Sequence, residues 1–69
     1  MYKYERIIYW PETDHAFLVE VPELPGCMAD GRTIEEANKM ADTVIREWIE
    51  VALERGQEIP KPKGRLKYA

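Results

Sequence analysis

Two periodicities divide the chain. From Ala16 to Val21, Phe17, Val19 and Val21 fall on one side while Leu18 and Glu20 fall on the other, the period-two pattern of a half-buried strand. Tyr2 to Trp10 is rich in aromatic and β-branched residues and predicts an earlier strand. Pro11 ends that strand and Glu12-Thr13-Asp14-His15 supplies turn chemistry, so the two are expected to pair as an antiparallel hairpin. After Thr33 the period changes. Ala37, Met40, Ala41, Val44, Ile45, Trp48, Ile49 and Ala52 recur at three- and four-residue steps, with Lys39, Arg46, Glu50 and Glu54 opposite. That pattern predicts a helix over residues 34–55, ended by Gly56. Trp48, in mid-stripe, is expected to anchor the core. Ile49 and Leu53 widen the stripe beyond what one sheet face covers, which leaves a flank for the C-terminal tail or for a partner.

The stretch between the two periods is the most prescriptive part of the sequence. Pro22 and Pro25 lack amide protons and stop the second strand. Gly26 supplies the backbone freedom for a tight turn back into extended structure, so a short third strand over residues 27–29 is expected at the sheet edge. Asp30-Gly31 reads as a further turn. Thr33 and Glu36 then fit a capping box, in which each side chain satisfies a backbone amide of the new helix. On the helix, Glu35–Lys39, Asp42–Arg46 and Arg46–Glu50 stand four apart, in range of ion pairing. Arg65-Leu66-Lys67-Tyr68 alternates again and predicts a fourth strand beside the first, reached by a right-handed crossover. The expected architecture is α+β: a three- or four-stranded sheet with one long helix across a face.

Composition narrows the class. Sixty-nine residues, 45% hydrophobic and 33% charged, describe one globular domain near the lower size limit for a single core. Cys27 is the only cysteine, so no internal disulfide staples the fold, and a homodimer or larger assembly is expected. The mixed, charged N-terminus has neither the apolar run of a secretory signal nor a membrane span, and the cytoplasm is the expected compartment. Charge is unevenly spread. Residues 1–54 hold five basic and twelve acidic side chains, a balance of −7, whereas residues 55–69 hold five basic and one acidic, a balance of +4. An acidic body favours a basic partner and repels nucleic acid.

Catalytic chemistry finds little footing. Metal-dependent nuclease action needs several carboxylates converging on ions roughly 4 Å apart. Glu5, Asp14 and Glu20 are the acids near the expected sheet, and their pattern fits solvated or turn-forming carboxylates better. Cys27 with His15 lacks a third orienting residue, and a buried structural thiol is the simpler reading. One His and one Cys give no metal-ligand spacing, and Gly26 and Gly31 form no phosphate loop. Neither enzymatic activity nor a cofactor is expected. The aromatics Tyr2, Tyr4, Tyr9 and Trp10 could stack on bases, but the strands hold only Lys3 and Arg6 as cations. A small nucleic-acid-binding or regulatory module, using those aromatics and the basic tail, is the alternative reading.

The ordered set Val-Pro-Glu-Leu-Pro-Gly-Cys at 21–27, Asp-Gly-Arg-Thr at 30–33, Glu-Glu-Ala at 35–37, Trp48, Gly56 and Ile59-Pro60-Lys61-Pro62 resembles the HicB-like antitoxins. The resemblance covers most of the chain. It implies a β-β-β-α-β fold like a partial RNase H domain, and binding that neutralises a HicA-type messenger-RNA-cleaving toxin. Many such antitoxins continue into a DNA-binding segment, and since this sequence stops at Ala69, operator binding is not expected. For partner contact, Trp10 at the strand end and Ile49 and Leu53 on the helix flank are the candidates. Pro22, Pro25, Gly26, Cys27, Gly31, Thr33, Glu36, Trp48, Gly56 and Pro60 are read as residues that shape the fold.

Overall fold

The computed structural model describes residues 3–62. Three antiparallel strands, β1 (Ile7–Tyr9), β2 (Phe17–Glu20) and β3 (Met28–Gly31), form a sheet in chain order, and one helix, α1 (Ile34–Glu54), covers one face. The expected fourth strand at 65–68 lies outside the described residues.

β1 is shorter than its composition predicts, and the register explains why. Ile7 pairs with Glu20, so the next positions upstream face Val21 and Pro22, and the proline has no amide to continue a ladder. β3 begins later and runs further than expected, taking in Asp30 and Gly31, which pair with Leu18 and Phe17. The corner that separates β2 from β3 is two turns in series. The Leu24 amide donates to the Val21 carbonyl at 3.0 Å, and the Cys27 amide to the Leu24 carbonyl at 3.0 Å. Each turn has a proline at its second position, where the fixed φ is already correct. Gly26 closes the second turn with φ +77°, a value that a side chain resists. The Val21 amide then reaches the Cys27 carbonyl at 3.1 Å, and the strands separate with their register set.

At the start of α1, Thr33 Oγ1 accepts from the Glu36 amide at 3.0 Å, the threonine half of the capping box. At its end, the Gly56 amide donates to the Leu53 carbonyl and the Gln57 amide to the Ala52 carbonyl, with Gly56 at φ +68°. That pair of bonds is the left-handed glycine cap the sequence calls for.

The helix rests on small residues. Ala37 and Ala41 are fully buried against Val19 and Ala29, and Ile45 is buried among Tyr4, Val21, Leu24 and Cys27. Gly31 is buried, and its role is not the turn the sequence suggests. A Cβ there would stand 2.4 Å from the Ala37 amide nitrogen and 2.8 Å from its Cα, so only glycine lets the helix lie this close. Met40, read as part of the buried stripe, is instead exposed at its rim. Trp48 is half-buried rather than central, packing its ring on the core while Nε1 donates to the Pro25 carbonyl at 2.9 Å. It joins the helix to the proline corner.

A buried cation crosses from the sheet side to the helix. Arg6, just before β1, donates to the Asn38 carbonyl at 3.1 Å and to Asn38 Oδ1 at 2.6 Å, and it pairs with Asp42. Asp42 therefore serves Arg6, not Arg46 as the four-residue spacing suggested. Charge-assisted bonds of this kind are about twice as strong as neutral ones. At the other end of the chain, the Tyr4 hydroxyl donates to the Pro60 carbonyl and draws the segment after the helix back to the start.

Two substitutions test these contacts. Gly31→Ala should destabilise by about 1–3 kcal/mol or more, because the obstructing atoms are backbone. Gly26→Ala, which meets no neighbour, should cost only the left-handed strain of about 1–2 kcal/mol. Urea unfolding of both variants checks the order. Trp48→Ala should lower stability by somewhat less than the ~3–5 kcal/mol of a fully buried tryptophan. Trp48→Phe should retain most of it and lose about 1 kcal/mol for the bond to Pro25. Equal losses for the two Trp48 variants would show that the ring contributes nothing beyond that hydrogen bond.

Candidate functional site

The acids weighed for nuclease chemistry do not converge. Glu20 lies on the uncovered face of the sheet, where the Tyr9 hydroxyl donates to its Oε1 at 3.1 Å. Asp14 belongs to the β1–β2 turn, its amide donating to the Pro11 carbonyl at 3.2 Å. Among the described residues, no group of three or more His, Cys, Asp or Glu side chains could hold a metal ion. Cys27 is buried, and burial pushes its thiol above the ordinary range, with Arg6 opposing part of that rise. A thiol held protonated is a poor nucleophile. His15 does not approach it, since the register puts Cys27 beside the C-terminal end of β2 and His15 beyond its N-terminal end.

The three residues expected at a partner surface are spread across the molecule. Trp10 is 47% exposed and stacks edge-on against Phe17, ring centres 4.8 Å apart. Phe17 pairs with Gly31, so this aromatic pair sits near the N-terminal end of the helix. Leu53 is in the last turn of that helix, and 20 residues of helix span about 30 Å. Leu53 is 65% exposed, the most exposed large apolar side chain described, whereas Ile49 one turn earlier is half-buried against the core. Only Ile49 and Leu53 share a flank.

Two apolar surfaces escaped the sequence reading. One is an open groove of about 670 Å³ between the proline corner and the helix, lined by Pro25, Met28, Val44, Trp48, Val51 and Arg55. Val44 and Val51 stand seven apart, and that spacing was available as a signal. The other is the uncovered sheet face. In the observed register, Ile7, Glu20 and Met28 form one row across the strands, and Tyr9, Leu18 and Asp30 form the next. Strand alternation names these residues as soon as attention moves from the buried face to its opposite. The Tyr9 hydroxyl is pushed up by desolvation first, then by its bond to Glu20 and the charges of Glu20 and Asp14.

The structure is a small α+β domain that leaves several large apolar side chains exposed. The chain belongs to the HicB-like antitoxin family: residues 4–68 match the family described as HicB-like antitoxin of bacterial toxin-antitoxin system. It is 35% identical to a UPF0150 protein of Synechocystis, over 87% of this chain and 82% of that one. To a UPF0150 protein of Thermoplasma acidophilum it is 34% identical, over 80% of each. An uncharacterized protein from the rep-hol intergenic region of Haemophilus phage HP1 is 38% identical over 83% of this chain, which spans only 43% of the phage protein. No solved structure matches. No helix among the described residues is long and apolar enough to cross a membrane.

The buried thiol makes a prediction. In the folded protein at pH 8, Cys27 should react with iodoacetamide at least about tenfold more slowly than in urea, because it is both inaccessible and protonated. Linkage has a definite sign here. The raised thiol contributes stability below its unfolded value and loses that contribution as pH rises through the folded one. A native-state labelling rate equal to that in urea would place the thiol at the surface.

Proposed function

We propose that this chain is the antitoxin of a HicAB-type system and silences a HicA-like, messenger-RNA-cleaving toxin by binding it directly. Family membership supports the antitoxin role. The observation that carries the choice of partner is the −7 balance of residues 1–54. A ribonuclease that grips RNA presents positive charge, so an acidic body is its electrostatic complement. Inhibition in this reading is occupation of the toxin's RNA-binding or catalytic surface, with no chemistry by the antitoxin and no cofactor. The complex acts in the cytoplasm, and the small unstapled core favours a homodimer or larger assembly. On the helix flank, Leu53 is the more exposed apolar candidate for contact, and Ile49 beside it is half-buried against the core.

Co-expression with the product of the adjacent gene tests the role. The neighbour alone should arrest growth and cleave messenger RNA, and this chain should restore growth. A neighbour that is harmless, or that stays toxic beside abundant folded protein, would remove the antitoxin assignment. Charge steering makes a separate prediction. The association rate should fall about tenfold between low salt and 0.5 M salt, while the dissociation rate changes far less. Stopped-flow mixing of the purified pair measures both.

A further inference from the structure

The sheet has two faces and the helix covers one. On the other, the rows Ile7-Glu20-Met28 and Tyr9-Leu18-Asp30 lie side by side. Ile7 is 45% exposed, Met28 49% and Tyr9 37%. A solvated face of an antiparallel sheet ordinarily carries polar side chains. Here four of the six positions are apolar, and the other two, Glu20 and Asp30, are carboxylates with no cation in either row. Tyr9 fixes the central carboxylate through its hydroxyl at 3.1 Å.

Charge selects the occupant. Nucleic acid and anionic membrane are disfavoured by two apolar rows whose only charges are negative. A second copy packed face to face would bring both pairs of carboxylates into one contact, and like charges brought together at an interface cost several kcal/mol. A basic protein meets neither obstacle. Lysine and arginine stems are able to pack on side chains such as Ile7 and Met28 while their charged ends reach carboxylates such as Glu20 and Asp30. Tyr9 adds the rigid, half-polar side chain common at the centre of such contacts.

We infer that the uncovered sheet face, centred on Ile7, Tyr9, Glu20 and Met28 and edged by Asp30, is where the basic toxin docks. The inference rests on the antitoxin reading and adds the surface to it. The three-stranded register fixes which side chains share the face, so it is formed before the partner arrives.

The test uses the full chain and the protein encoded beside it. Glu20→Lys/Asp30→Lys should keep the wild-type circular dichroism and melting profile, slow association with the neighbour at low salt by about tenfold or more, and abolish growth rescue. Asp30→Lys alone, at an exposed position, should show a smaller change in the same direction and covers the case in which the double variant fails to fold. Leu53→Glu reports on the helix flank separately. A charge-reversed sheet face that binds and rescues like wild type overturns the inference, and so does loss of binding confined to Leu53→Glu. In both cases wild-type rescue would leave the antitoxin role standing. Failure of the wild-type chain to rescue instead overturns that role, and the assigned occupant with it. Sedimentation of the wild type and double variant covers the second-copy alternative. A wild-type dimer that dissociates on charge reversal assigns the face to self-association and overturns the inference.

Discussion

Gly31 lies so close under the first turn of α1 that a methyl group in its place would meet the Ala37 amide nitrogen at 2.4 Å. The helix must therefore approach β3 backbone to backbone, and the other residues beneath it are chosen to match. Ala29, Ala37 and Ala41 keep the separation small, and Val19 fills what remains. Such a contact is set by atoms that cannot move aside, so it fixes the height of the helix above the sheet. From that height follow the burial of Ile45 and the reach of Trp48 to the proline corner. The uncovered face is equally a result, since among the described residues the helix lies on one side of the sheet only.

Arg6 holds the other margin. Its guanidinium binds one turn of α1 through Asn38 and the next through Asp42, which stops the helix from sliding along its axis. A buried cation adds less stability than its bonds suggest, because those bonds replace water. What it adds is direction. An apolar residue at position 6 would bury as much surface and accept several helix positions, whereas a guanidinium fits one.

The sequence made the elements legible because their signals are local. Two-residue alternation marked β2, the two prolines and Gly26 marked the corner, and Thr33 marked the helix start. The missed features depend on residues distant in the chain. Arg6 reads as one more solvated charge until Asn38 and Asp42, 32 and 36 positions away, come beside it. Gly31 follows an aspartate and so reads as a turn, and only the nearby backbone of Ala37 reveals its purpose. The late start of β1 depends on which residue lies opposite Glu5, a matter of register. The sequence points to the helix flank and to Trp10 at a strand end because a wide stripe and a terminal aromatic are visible in one dimension. A row such as Ile7-Glu20-Met28 exists only once three strands are aligned.

Because the strands follow one another in space as they do in the chain, each sheet pairing joins segments that are neighbours in sequence. Hairpin, corner and capped helix can each form without waiting for a distant partner, and topologies of that kind fold quickly. The hydrogen bonds that span the most sequence start ahead of β1: Arg6 reaching α1 across 32 positions, and Tyr4 bonding to Pro60 across 56. Closing so long a loop costs entropy that local contacts do not. Docking the N-terminal segment therefore carries an entropic cost that the hairpin and helix do not, offset by the burial of Tyr4 and the bonds of Arg6 to α1.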